Sequence, residues 1–264
     1  MTLEIPQRYR STLYGTGRRL GALGWGALGA AALVAIPVLI VLANLLLPGR
    51  GSWGHLFATV LGDYVLNTVW LILGVGIAVL VLGVGTARLV TMFRFPGSRI
   101  LEWALILPLS MPAYVLASTY TDLLPVSGPV QTRLPPAFEW RVNDYWFPEV
   151  RSLGGAVLML AMVLYPYVYL LSRTAFRDQS ICVVEVSRTL GCGPWERFWR
   201  VEMPLARAGI AAGLALALME TVADYGVVSY FGIQTFTTGI YRAWFSMGDA
   251  VAAAQLSSTL LGFV

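Results

Sequence analysis

An all-α bundle of membrane-spanning helices is the fold class that this chain predicts, and two observations carry it. The mean hydropathy is +0.70, with 57% hydrophobic and only 12% charged residues, whereas soluble domains carry about a quarter charged residues. Apolar runs of the roughly 20 residues needed to cross about 30 Å of hydrocarbon fall at 25–47, 65–89, 101–121, 153–172 and 206–224. A sixth begins near Ala250, and the sequence stops at Val264. About 15 residues are too few to span, so a fragment, or one half of a longer protein, is expected.

Residues 1–20 read as a polar cytoplasmic tail, and 21–264 as one transmembrane domain. The first apolar run follows Arg8, Arg10, Arg18 and Arg19. It exceeds the roughly 7–15 residues of a signal-peptide core and lacks a clear small-x-small cleavage site, so a retained helix is expected. The loop 48–63 holds His55, the only histidine. In the second run, Gly74, Gly76, Gly83 and Gly85 have no strand-turn-helix context and read as packing residues, not as a nucleotide loop.

The third run carries Pro108 and Pro112 around Ser110, and the fourth carries Pro166 among Tyr165, Tyr167 and Tyr169. Proline removes a backbone donor and kinks a helix, so two adjacent kinked spans are expected, lining a pathway. The segment 122–152 is proline-rich, and its Trp140, Tyr145, Trp146 and Phe147 suit a membrane interface or a docking surface. In the fifth run Gly209, Gly213 and Ala217 recur every four residues, a stripe that lets another backbone approach. Glu220 and Asp224 continue this face, about 20° and 60° from Gly209 at 100° per residue. Ionisable groups in a span face a partner or a watery cavity, which makes both candidates for a gate or a translocation path.

All 18 basic residues are arginine. Thirteen lie in the N-terminal tail, the 88–99 loop and the 173–207 loop, and five in the alternate loops. Positive-inside bias therefore places the N-terminus and the long polar loop in the cytoplasm. The arginines form no stripe with aromatics, so the net charge of +4 does not indicate nucleic acid. Cys182 and Cys192 match no zinc spacing and read as reduced thiols. No metal site and no cofactor is expected.

The most structured of the polar loops spans about 175–205. Glu185 is followed by Gly191 six residues on, Val201 sixteen on and Pro204 nineteen on, with Gly193 and Pro194 between. Two short helices with a hinge at Gly191–Gly193, ending at Pro204, are expected. The spacing resembles the cytoplasmic EAA loop of permease subunits in binding-protein-dependent ATP-binding-cassette (ABC) importers, Glu-Ala-Ala-x3-Gly-x9-Ile-x-Leu-Pro. Val186 and Ser187 replace the two alanines, and Val201-Glu202-Met203 replaces Ile-x-Leu. The run from Met219 to Gly226, with Tyr230-Phe231-Gly232 and Thr235–Trp244, is similar to the ferric-iron branch of that superfamily, whose members commonly carry two six-helix halves in one polypeptide.

The resemblance implies a type I (MetI-like) permease fold in a bacterial inner membrane. It also implies a cytoplasmic ATPase dimer, a periplasmic or tethered binding protein and a second permease half as partners, with lipid around them. Glu185, Arg188, Gly191, Gly193, Trp195, Glu196, Arg197 and Pro204 are then the coupling residues. Trp195, Phe198 and Trp199 would be buried in the ATPase, rimmed by Glu196, Arg197 and Arg200. Glu220, Asp224, Tyr225 and Tyr230 are candidates for the path or gate. Ferric iron is the favoured cargo, with thiamine, polyamines, phosphonate and sulfate as alternatives. The chain has no lysine and so no Walker Gly-x4-Gly-Lys-[Ser/Thr]. ATP must be hydrolysed elsewhere, and the chain is not expected to be an enzyme. An intramembrane hydrolase lacks a nucleophile and base within reach. An ion-coupled transporter using Glu220 or Asp224 leaves the loop unexplained.

Overall fold

The computed structural model describes residues 22–46, 59–93, 95–124, 128–129, 149–179, 185–187, 189 and 191–263. The tail 1–20, His55, the aromatics of 140–147, Cys182 and Arg188 lie outside the described residues. Every regular element among the described residues is helical. The chain divides into two units, Met1–Pro48 and Gly49–Val264, described separately here.

The first unit holds α1 (Ala22–Ala43), with Pro37 inside it, and a 3-10 turn at Asn44–Leu46. It is apolar on all sides, as a lipid-facing span is.

In the second unit α2 (Leu61–Met92), α5 (Leu153–Arg177) and α7 (Met203–Ala223) pack on one another and enclose the main core. Small residues set how close they come. A Cβ on Gly74 would lie 2.8 Å from Val157, and one on Gly83 2.6 Å from Val168, so both are packing residues against α5. Gly85 faces open space and is not one. On α7, a Cβ on Gly209 would meet Leu171 O at 2.8 Å, and one on Gly213 would meet Val168 Cα at 2.8 Å. The stripe thus seats α7 on α5. The buried face runs Ala206, Ile210, Gly213, Ala217, Thr221. Glu220 does not continue it: that side chain turns outward, and Asp224 lies beyond the helix in extended backbone.

The third apolar run is not one kinked helix. It divides into α3 (Ser98–Ala104), which continues through a 3-10 turn at Leu107–Ser110, and α4 (Ala113–Leu123), bent by 94° between them. Pro108 and Pro112 supply no N–H, and Met111 before Pro112 is held extended (φ −105°, ψ 129°) as pre-proline residues are. The N–H groups of Ile106 and Leu109 bond Trp103 and Ile106, three residues back. In an unbroken helix they would serve the carbonyls of Glu102 and Leu105. Those carbonyls instead accept from the hydroxyls of Tyr169 (3.0 Å) and Tyr165 (2.9 Å) on α5. Irregular backbone at membrane depth survives where protein satisfies it in this way. Pro166 does not interrupt α5.

Beyond α7, the short helices α8 (Gly226–Tyr230) and α9 (Phe236–Tyr241) lead through a π turn at Arg242–Ser246 to α10 (Ala250–Phe263). A second apolar cluster joins Phe236, Ala243, Ala252 and Leu256 to Tyr64 near the start of α2.

Gly213→Val should force α7 off α5 at a cost of about 1–3 kcal/mol, as overpacking does, lowering the melting temperature in detergent. Gly85→Ala has room for its methyl and should leave that temperature unchanged or raise it, through a helix propensity gain of up to about 1 kcal/mol.

Candidate functional site

The loop expected to couple lies at the end of the second unit where α2 and α5 finish. Gly191 has φ +82°, a left-handed conformation open to glycine at little cost, and the hinge sits there. Gly193 has φ −65° and an ordinary extended backbone, so its role as a second hinge is not required by conformation. Before the hinge, Glu185, Val186, Ser187 and Thr189 are helical, and Cys192 N donates to Ser187 O at 3.1 Å.

After the hinge, α6 (Pro194–Arg197) does not end at Pro204. It runs through a π turn (Phe198–Glu202) into α7, giving one continuous helix Pro194–Ala223. Pro204 falls in the first turn of α7, where a missing N–H is tolerated, and Met203 N reaches back five residues to Phe198 O. The π turn relieves the proline, so helix replaces the expected stop.

The same turn divides the expected docking residues. Trp195 and Trp199 are exposed (70% and 61%), as are Glu185, Val186, Gly191 and the Glu196–Arg200 pair, whose groups meet at 2.5 Å. Phe198 and Arg197 are each only 8% exposed. They are packed inside the chain and not presented outward. Arg197 and Glu202 are five residues apart, about 140° round an α-helix, yet the π turn brings them to one side, Nε to Oε1 at 2.8 Å.

Glu202 is fully buried, and its other oxygen accepts from Arg88 Nε at 2.8 Å. Arg88 also donates to Pro194 O at 2.8 Å and stacks 4.3 Å from the Phe198 ring centre. The Glu202 carbonyl accepts from Gln179 Nε2 at 2.9 Å. Sequence reasoning missed this centre, because Glu202 was read only as a departure inside Val201-Glu202-Met203. An acid beside an apolar run and near arginines was the available signal, but its partners lie 5 and 114 residues away.

At the opposite end the four path or gate candidates do not form one site. Glu220 and Asp224 line a cavity of about 250 Å³ together with Ser110, Met111, Pro112 and Tyr167, so the break between α3 and α4 faces both carboxylates. Asp224 is also a cap: its Oδ2 accepts from the N–H groups of Val227 (2.9 Å) and Val228 (3.3 Å), orphan donors of the first turn of α8. Tyr225 belongs to a neighbouring pocket of about 420 Å³ with Arg242, Ser229, Gln234 and Thr238, and stacks on Tyr241 at 3.9 Å. Tyr230 lies apart, its ring 5.3 Å from the Arg151 guanidinium. Among the described residues no group of three or more His, Cys, Asp or Glu is arranged to hold a metal.

Residues 79–264 match the model of the binding-protein-dependent transport system inner membrane component. The chain belongs to this family. It is 27% identical over 206 residues to the Fe(3+)-transport system permease protein FbpB 2 of Haemophilus influenzae, covering 78% of this chain but only 36% of that relative. It is 29% identical over 180 residues to the molybdenum transport system permease protein ModB of Escherichia coli, covering 66% of this chain and 76% of ModB. With the sulfate transport system permease protein CysT of Escherichia coli the identity is 29% over 150 residues, covering 57% and 51%. The fold is that of a solved bacterial ABC transporter involved in import of the acidic polysaccharide alginate, with TM-score 0.68 over 90% of this chain and 89% of that one at 15% identity. The all-α, MetI-like permease fold is therefore the fold of this chain, a multi-pass protein of the inner membrane, and the relatives are transport permeases, not enzymes.

Asp224→Ala should lose the α8 cap and destabilise the protein by about 0.5–2 kcal/mol, read as a lower melting temperature in detergent. Asp224→Asn keeps a capping oxygen and should melt within a few tenths of a kcal/mol of the unsubstituted protein.

Proposed function

We propose that this chain is the transmembrane permease of an ATP-driven, binding-protein-dependent importer. In this reading the loop 175–205 docks on a cytoplasmic ATPase dimer. One observation carries it: the exposed Trp195–Trp199 face sits on a helix that continues without interruption into the α7 span. Large aromatic side chains that fill a partner's pocket supply most of an interface's energy, and a rigid helix turns a push at that face into motion of a span. Glu185, Gly191, Gly193 and Glu196 frame the docking face, with Arg188 beside them in sequence. Pro204 belongs to the junction with α7, and Arg197 to the interior. Family membership supports the ATPase and a substrate-binding protein as partners. The 36% coverage of FbpB 2 leaves room for a second permease half, in the same polypeptide or another. The N-terminus is placed in the cytoplasm by the arginine bias.

Ferric iron is the favoured cargo. The carboxylates of Glu220 and Asp224 face the broken third span, and hard oxygen donors suit transient contact with a hard cation. A second reading has its own support: among the described residues Arg242 is the only charged one lining the pocket beside Tyr225, which favours an oxyanion, and molybdenum and sulfate permeases are among the relatives.

Two measurements test this. Replacing Trp195 and Trp199 together by alanine should abolish co-purification of the ATPase while the protein still inserts in the membrane; full retention of the ATPase would overturn the docking reading. In proteoliposomes carrying the importer and its binding protein, labelled ferric iron should accumulate in preference to molybdate and sulfate, and Glu220→Gln should slow it several-fold, on the order of 1 kcal/mol. Uptake of molybdate or sulfate instead would transfer the assignment to the Arg242 pocket.

A further inference from the structure

We infer that Arg88 is a positioning residue that makes α2 follow the docking helix, so that motion enters the membrane through two spans and not one. The inference rests on the importer reading above.

The docking helix continues without a break into α7 alone. Among the described residues, the hydrogen bonds that tie it to α2 come from Arg88, one turn before the end of that span. Arg88 holds the docking segment at both ends, donating to Pro194 O at its start and to Glu202 Oε2 at its finish, each at 2.8 Å. Its guanidinium lies over the Phe198 ring between them, 4.3 Å from the centroid. A planar fork with its donors fixed in place transmits orientation as well as position, which apolar contact along α2 does not. Arg88 is 13% exposed and Glu202 not at all, so water competes little for the bond between them. Glu202 keeps a second cation, Arg197, on its other oxygen. The carboxylate therefore remains compensated when Arg88 is removed, and the link between helices can be cut without leaving a bare charge.

Another pair at the same end of the unit provides a matched control. Arg173 on α5 pairs with Glu102 on α3, a carboxylate 20% exposed where Glu202 is fully buried, and Glu102 also retains a second cation, Arg177 at 3.5 Å. Among the described residues no ion pair joins Arg173 to the docking helix. A purely structural role for Arg88 predicts the same behaviour from both substitutions.

The test uses the full importer purified with its ATPase and binding protein, reconstituted in proteoliposomes. The quantity read is cargo accumulated per ATP hydrolysed, with whichever of labelled ferric iron, molybdate or sulfate the unsubstituted protein moves. Arg88→Met should lower this ratio at least about fivefold, the lower end of coupling between distant sites, while the ATPase still co-purifies. Arg88→Lys should recover part of it. Arg173→Met should lower the melting temperature and leave the ratio within about twofold, less than a coupling effect. An unchanged ratio in Arg88→Met, or an equal fall in Arg173→Met, would overturn the inference and leave the importer reading standing. An unsubstituted protein that retains no ATPase and moves no cargo would overturn both.

Discussion

A carboxylate without water must be given its cations by the fold, and Glu202 organises one end of this protein on that condition. Burying an ion pair adds little net stability, because desolvation offsets the attraction, but removing one partner costs about 3–5 kcal/mol. Such a group therefore acts less as an adhesive than as a specification. Only an arrangement that brings α2, α6 and the π turn to one point satisfies both oxygens of Glu202. Gln179 adds the end of α5 to the same point through the Glu202 carbonyl. The three spans that form the core are registered there as well as by their apolar faces.

The third span follows a different logic. It is interrupted, and the interruption is made tolerable by tyrosine hydroxyls from α5 reaching the carbonyls of Glu102 and Leu105. Polar backbone and two carboxylates thereby share a cavity, while one of those carboxylates is partly spent on capping α8. Asp224 is thus a structural residue whatever else it does, and Glu220, turned outward from the packed face, is the freer of the two.

Much of this was legible in the sequence, and the failures share a physical cause. Hydropathy located the spans, the arginine bias gave their expected orientation, and the Glu185-to-Pro204 spacing gave the family. The glycine stripe of α7 packed as its four-residue period required. What could not be read were consequences of non-local partners and of irregular helical geometry. Pro204 reads as a stop only if the helix before it is α-helical. Phe198 and Arg197 read as outward-facing for the same reason. Pro108 and Pro112 signal a kink, but the 94° bend depends on hydroxyl donors supplied from another helix. Glu220, Asp224, Tyr225 and Tyr230 are close in sequence and yet open onto three different environments, because the chain turns sharply between α7 and α8.

The π turn at Phe198–Glu202 has one more consequence, which concerns angular phase. Each residue added to an α-helix advances its side chains by about 100°, and a π turn takes up one additional residue without ending the helix. The tryptophan face and the glycine face belong to the same continuous rod, so the angle between them is set by how many residues lie in that turn. Losing or gaining a single residue there would leave both faces chemically intact and rotate one against the other by more than a quarter turn. The segment is therefore a timing element in space. Its length is under tighter constraint than its composition, and homologous chains should differ there by substitution far more readily than by insertion or deletion.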